Sequence, residues 1–533
     1  MQQEYIPFRA TGYFSSLICD YLDEKDELKS FYHRFPSIDN FKSQIEEKKQ
    51  SVQVQSRITL VNALKQQYQN LKVSESTSHN IESLNSENTF TITTGHQLNL
   101  FTGPLYFLYK IVSTINLTNQ LKEVYPEYNF VPVYWMATED HDFEEINYFN
   151  FKGKKFQWNK KASGAVGELS TEGLDEVLKL FSQDLGSSNN AKDLKQLFKN
   201  AYVNHTNLAD ATRYLANELF KNYGLVIVDA NEASLKHMFI PYVEKELLNQ
   251  VSYKTVSASN DSLTQVDDSY KIQVNPREIN LFYLNKNLRE RIVLEDDVYK
   301  VLNTQIVWSK SEIEKELKDH PERFSPNVIM RPLYQEVILP NLCYIGGGGE
   351  LAYWMQLKSY FEAVGVSFPI LLLRNSVLIK TEKQSKKLQN LHISDEDIFL
   401  KRNSFINKKV REISNIDLSF ASQKEYLKAQ FEDLLTLAEQ TDKSFIGAVK
   451  AQEKKQQKGL EKLEKRLLKA QKKALSDEVS RMTELQNELF PNRSLQERNA
   501  NFSEFYLEYG QSLIPRLIEN LKPLDGEFSI LTI

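Results

Sequence analysis

Phe90-Thr-Ile-Thr-Thr-Gly-His-Gln97, then Leu100-Phe-Thr-Gly-Pro104, then Phe130-Val-Pro-Val-Tyr-Trp-Met-Ala137 is the stretch from which the fold follows. The β-branched, alternating run 90–94 predicts a strand. It enters Gly95-His96-Gln97, after which Thr102 can cap a helix and Pro104 can open it. Leu105, Leu108, Val112 and Ile115 recur at the 3.6-residue period, so that helix is expected to run to about Leu121. Residues 130–137 are apolar without alternation, as in a parallel strand covered on both faces, and deliver Glu139-Asp140-His141-Asp142 at the strand end. Strand, loop, helix, strand is a βαβ unit, in which the crossover is right-handed and ligands lie beyond the carboxyl ends of the strands. The loops after both strands are therefore expected to open onto one crevice.

Outward from this unit, further strands are predicted at 225–229 and 367–373. The helical spacing of Ile45, Val52, Ile58, Val61 and Leu64 predicts a helix over 41–71, followed by a polar stretch at 74–88. The organisation expected is an N-terminal helical segment (1–88) and an α/β core with a Rossmann-like parallel sheet in three pieces (89–149, 217–260, 323–420). Two connecting insertions interrupt it. The first (150–216) is partly helical, and the second (261–322) carries strand-like runs at 280–284 and 291–294. Residues 421–533 form a C-terminal α-helical coiled-coil segment. Within it Leu460, Leu463, Leu467, Ala470 and Ala474 keep the three-four spacing of a supercoiled seam. A helix over 442–489 would reach about 70 Å at 1.5 Å per residue. An earlier helix bearing Leu427, Phe431, Leu434 and Ala438 can pair with it as an antiparallel hairpin.

With 533 residues the chain exceeds what one hydrophobic core serves, and 41% hydrophobic content with 30 Phe and 26 Tyr is a folding composition. The start of the chain has no basic leader or apolar run, and no apolar stretch approaches the length of a membrane span, so a cytoplasmic protein without a membrane segment is expected. Cys19 and Cys343 are too few for a zinc cluster or a disulfide framework and read as reduced core thiols; a nucleophilic Cys343 is the competing reading. A net charge of −5 gives no global attraction to nucleic acid. Residues 450–473 hold ten Lys or Arg against three Glu, but the solvated face of a coiled coil accounts for them and no aromatic residues interleave for base stacking.

Five places carry candidate chemistry. Gly95-His96-Gln97 lies where a parallel strand turns toward a helix, a position that cradles anions with backbone N–H groups; the bland reading is a histidine that only ties the turn. Neither the dinucleotide fingerprint nor the P-loop occurs. Asp140-His141-Asp142 sets an imidazole between two carboxylates, which should raise its pKa and suit it to proton transfer. A divalent cation or a plain acidic loop are the other uses of that triplet, and no metal is expected. The run Gly346 to Gly349 before Glu350 allows close ligand approach at a helix start. Arg374-Asn375-Ser376 follows a predicted strand and is expected to face the crevice, with Arg374 clamping a carboxylate or phosphate. Arg331 and Gln335, one helical turn apart, form a similar pair.

Taken together, Thr93-Thr-Gly-His-Gln97, Leu100-Phe-Thr-Gly-Pro-Leu-Tyr106 and Thr138-Glu-Asp-His-Asp-Phe-Glu-Glu145 resemble the bacillithiol biosynthesis cysteine-adding (cysteine ligase) family. Ser325-Pro-Asn-Val-Ile-Met-Arg-Pro-Leu-Tyr-Gln335, Tyr344-Ile-Gly-Gly, Gly349-Glu-Leu-Ala-Tyr353 and Leu495-Gln-Glu-Arg498 continue the match in order, so the resemblance spans nearly the whole chain. The departure is Gly348, where the family's loop often carries Pro or Ala. The resemblance implies a core related to nucleotidylyl-transferases and class I aminoacyl-tRNA synthetases, a coiled coil that forms a homodimer, and a ligase joining cysteine to glucosaminyl malate through an amide bond. Under that reading His96 stabilises the carbonyl oxygen, and His141, steered by Asp140 and Asp142, accepts the amine proton. Substrate binding is expected from Gly95, Gln97, Thr102, Gly103, Arg331, Gln335, Gly349, Glu350, Tyr353, Arg374, Asn375 and Ser376. ATP is the expected activator, by analogy of fold. The alternatives are a small-anion-binding scaffold without turnover and an RNA-associated nucleotidylyl-transfer enzyme.

Overall fold

The computed structural model describes residues 2–533. Its centre is a five-stranded sheet of β1 (Thr89–His96), β2 (Asn129–Met136), β3 (Val226–Asp229), β4 (Asn341–Gly346) and β5 (Ile370–Leu373). The order is β5-β4-β1-β2-β3 and every pairing is parallel. This is the expected α/β architecture with a Rossmann-like sheet. The chain leaves β1 toward β2 on one side and returns through β4 on the other, so the carboxyl ends of β1 and β4 flank a topological switch point. The predicted strands at 90–94, 130–137, 225–229 and 367–373 are β1, β2, β3 and β5. β4 was not anticipated, because Leu342-Cys-Tyr-Ile345 is short and runs straight into glycines. Held between β1 and β5, all of β4 is buried.

The helix after β1 is α1 (Tyr106–Val124), and Leu105, Leu108, Val112 and Ile115 are all buried as their spacing requires. Thr102 does not cap it. The 3-10 turn Leu100–Thr102 passes through positive φ at Phe101 and Thr102, and the Thr102 hydroxyl is buried without a partner. Packing explains the detour: Phe101 is driven among Phe149, Phe181, Phe198 and Phe502, at ring-centre distances of 4.9 to 5.5 Å. Gly103 then needs φ +60, and a Cβ there would meet Asn99 Cβ at 2.5 Å.

The single helix predicted over 41–71 is two, Ile38–Ser51 and Val54–Tyr68, and the polar stretch holds a third, Glu75–Ser83, whose N-cap Ser74 accepts from the Thr77 N–H. The first residues are not helical: Gln2–Pro7 pairs with Glu527–Thr532, which pairs with Val377–Lys380, so the two ends of the chain share one sheet. The first insertion opens with a hairpin, Tyr148–Phe151 with Lys154–Gln157, and continues as helices. In the second, the strand-like runs are Leu281–Asn285 and Leu288–Glu295 of a five-stranded antiparallel sheet completed by Val298–Val301, Val307–Trp308 and Phe324–Pro326.

Toward the C-terminus, α3 (Ala421–Ala438) and α4 (Lys443–Ala474) form an antiparallel hairpin, with Lys424 bonded to Glu464 at 2.6 Å and Phe431, Ala438 and Val449 packed between them. The long helix is broken at Leu475 (φ −99, ψ 36), beyond which α5 (Ser476–Leu489) buries Met482, Leu485 and Leu489. The register drift after Ala474 marks this change of partner. In the single chain the heptad seam is only partly covered: Leu463 is 51% exposed, Ala470 and Ala474 are exposed, Leu460 and Leu467 are half-buried, and the off-register Leu468 is buried. No described helix is long and apolar enough to cross a membrane. Cys19 and Cys343 are free and buried, and burial pushes the Cys343 thiol up, which makes it a protonated core residue.

Candidate active site

Beyond the carboxyl ends of β1, β2 and β4 lies a cavity of about 730 Å³, a size suited to a small substrate. The core supplies its floor and the second insertion its far wall, through Gln273, Asn275, Arg277, Phe282 and Arg289. Of the residues expected from sequence, Gly95, His96, Gln97, Asp140, His141, Asp142, Arg331, Glu350 and Tyr353 line it.

The floor is built around a buried ion pair. Lys110, from the second turn of α1, lies 2.6 Å from Glu350 Oε2 and donates to the Gly95 carbonyl at 2.7 Å. Glu350 also accepts from the Tyr344 hydroxyl (2.7 Å) and the Gly347 N–H (2.8 Å) at the start of α2 (Gly348–Met355). Burial lowers the Lys110 pKa; for Glu350 burial opposes ionisation, but Lys110 and these donors hold its pKa below the usual range. The network leaves little room for a side chain at Gly95, whose Cβ would come 3.2 Å from the Tyr344 hydroxyl and push it off Glu350 by a few tenths of an ångström. Arg331 stacks over Tyr344 and donates to Gln335 Oε1 (3.1 Å) and the Tyr353 hydroxyl (3.3 Å).

His96 is pressed against Tyr106 and Phe107, and burial, reinforced by Lys110, pushes its pKa down to about 3, so the ring is neutral. Its Nε2 is buried and has no hydrogen-bond partner among the described residues. A neutral imidazole carries one N–H and one bare nitrogen, so His96 can accept a hydrogen bond as well as donate one to a carbonyl oxygen, the role expected from sequence.

Past β2 the loop is pinned by its own backbone, with the His141 N–H on Asp140 Oδ1 at 2.7 Å and the Val166 N–H on the Asp140 carbonyl at 2.7 Å. Gln97 bridges the two strand ends by donating to Asp140 Oδ2 (2.9 Å) and Glu145 Oε2 (2.9 Å). Glu139 turns inward to Lys236 (2.6 Å) and accepts from the Ser325 hydroxyl (2.6 Å). Asp140, His141 and Asp142 bring one ligand atom each within 4.8 Å of one another, yet Arg289 Nη1 lies 2.6 Å from His141 Nδ1, so a cation there would have to displace the guanidinium.

Seven residues expected to bind substrate do not line the crevice. Arg374 is buried and clamps Glu497 with two bonds, 2.8 and 3.1 Å. Ser376 donates to the same carboxylate, and Asn375 bonds Ser113 and donates to the Lys522 carbonyl. A buried guanidinium requires a carboxylate, and Glu497 satisfies it inside the protein. Thr102 and Gly103 shape the turn under Phe101, with Asn501 donating to the Gly103 carbonyl. Gln335 backs Arg331 from the interior. Gly349, at the start of α2, stands beside Gln273.

Sequence reasoning missed Lys110 and Arg289. A lone Lys inside the apolar first turns of α1 was the available signal for the first. For Arg289 there was none, since 148 positions separate it from His141.

Two family models cover the chain: residues 1–375 match "Bacillithiol biosynthesis BshC, N-terminal Rossmann-like domain" and residues 377–533 match "Bacillithiol biosynthesis BshC, C-terminal coiled-coil domain". The chain belongs to the BshC family of bacillithiol biosynthesis. A protein of Flavobacterium johnsoniae named "Putative cysteine ligase BshC" is 62% identical over 533 residues, covering 100% of both chains. Its namesake in Cytophaga hutchinsonii is 39% identical over 98% of this chain and 97% of its own, and that of Bacillus mycoides 28% identical over 97% of each. Membership in the family makes the protein a ligase.

Proposed function

We propose that the enzyme joins the carboxyl of cysteine to the amine of glucosaminyl malate in this crevice. One observation carries the reading: a neutral His96 lines a cavity bordered by Arg277 and Arg331, neither of which has a carboxylate within ion-pair distance among the described residues. Uncompensated guanidinium groups suit an anionic substrate such as a malate or phosphate. The bare nitrogen of the neutral His96 ring accepts a hydrogen bond from the attacking amine, orienting its lone pair toward the carboxyl carbon. The C–N bond forms as the C–O bond to the leaving oxygen breaks, and the amine proton goes to a cavity base or water.

Amide formation from a free carboxylate in water is uphill, so the cysteine carboxyl needs activation. ATP is the activator we propose. Bound, it supplies a phosphate-based leaving group; Arg277 and Arg331, which border the crevice, are the residues that would hold it. The partly covered heptad seam of α4 pairs, in this proposal, with a second copy of the chain. The test incubates protein, cysteine and glucosaminyl malate with and without ATP and reads the product by mass. ATP-dependent product is expected. No product under either condition rejects the ligation, and product without ATP consumption rejects the activator.

A further inference from the structure

Arg289 reaches the crevice from Leu288–Glu295, a strand of the second insertion, and its aim is constrained on every side. Its guanidinium stacks over the Phe282 ring at 4.0 Å, Nε donates to the Ser325 hydroxyl at 3.3 Å, and Nη2 donates to the Pro326 carbonyl at 3.4 Å. Ser325 is itself fixed by donation to Glu139, which Lys236 holds. What remains, Nη1, points at His141 Nδ1 from 2.6 Å.

A guanidinium can only donate, and it stays charged at any pH the protein survives. Nδ1 must therefore offer its lone pair, since an N–H there would set two donors against each other at hydrogen-bond distance. A neutral imidazole with a free Nδ1 carries its proton on Nε2. That Nε2–H is 3.9 Å from Asp142 Oδ1, beyond hydrogen-bond reach, and is left for a ligand. The charged groups around the ring are Asp140 and Asp142 on its own loop, Arg289 opposite, and the Glu139–Lys236 pair behind.

We propose that Arg289 is a positioning residue that locks His141 as the Nε2–H tautomer, so that His141 donates a hydrogen bond to the substrate oxygen that gains negative charge while His96 accepts from the amine. The inference rests on the ligation reading and reverses the polarity expected from sequence for both histidines. As the amine lone pair adds to the carboxyl carbon, the carbonyl oxygen becomes an oxyanion; His141 keeps its proton and shares it.

The tautomer can be read without any activity. In protein labelled with ¹⁵N-histidine, with the His141 signals identified by their loss in His141→Gln, wild type should show a protonated Nε2 and a lone pair on Nδ1. Arg289→Met should give a mixture of tautomers, and Arg289→Lys should restore the wild-type pattern. In the ligation assay Arg289→Met should lower kcat by up to about 100-fold, the scale of a misaimed catalytic group, with KM changed less than about threefold. A proton on Nδ1 in wild type, an unchanged tautomer in Arg289→Met, or a rise in KM with kcat intact would each overturn the proposal. Failure of wild type to form product would instead reject the ligation reading and leave the tautomer result standing.

Discussion

His96 shows how a single side chain is set by its surroundings. In solution an imidazole titrates near 6.5; here burial first, and Lys110 second, hold it neutral down to about 3. The unfolded chain binds this proton more readily than the folded one across that window, so the contribution to stability is complete above pH 6.5 and is withdrawn as pH falls toward about 3. Between pH 7 and pH 5 the wild type should lose about 2 kcal/mol more unfolding free energy than His96→Gln, from about 1.4 kcal/mol per pH unit over the part of the interval below 6.5. Denaturant titrations at the two pH values measure this, and equal losses in the two proteins would show that His96 is not held neutral. That His96 would lie at the crevice was readable from Thr94-Gly-His-Gln97 at a strand end. Its burial against Tyr106 and Phe107 and beside Lys110 was not, because those contacts come from how α1 packs back on the sheet.

The hairpin of α3 and α4 is legible as a repeat and misleading as a contact map. Three-four spacing marks which face of α4 is apolar, and α3 was correctly anticipated as an antiparallel partner. Yet Leu463 in the seam is 51% exposed, as are Leu437 at 55% and Phe445 at 46%, an apolar surface that a lone hairpin cannot cover. If a second copy covers it, the double substitution Leu437→Lys, Leu463→Lys should convert dimer to monomer in analytical ultracentrifugation while helical content holds. A monomeric wild type, or a dimer that survives the double variant, would place the interface elsewhere. The turn before α1 carries a similar lesson: Thr102 and Pro104 are the right residue types for a helix start, but local propensity yields about 1 kcal/mol, less than burial of one phenylalanine side chain provides.

Across the whole molecule the two family-matched regions are joined by Arg374 and Glu497, one from each, both buried and bonded twice. Glu497→Ala strands the guanidinium in the interior and should cost about 3 to 5 kcal/mol, read as a lower unfolding midpoint; a change under about 1 kcal/mol would mean that Arg374 finds another partner. A strand end followed by Arg-Asn-Ser had suggested a ligand clamp, and the same residues serve as a clasp because the acceptor is 123 positions away. The amino-acid order alone determined the parallel-sheet core, the βαβ unit with its strand-end loops, the two insertions and the helical C-terminal region, since these depend on hydrophobic period and turn chemistry over a few neighbouring residues. The partners of Arg374, the burial of His96 and the arrival of Arg289 at the crevice were decided by folding, because each depends on contact between groups whose meeting no local pattern encodes.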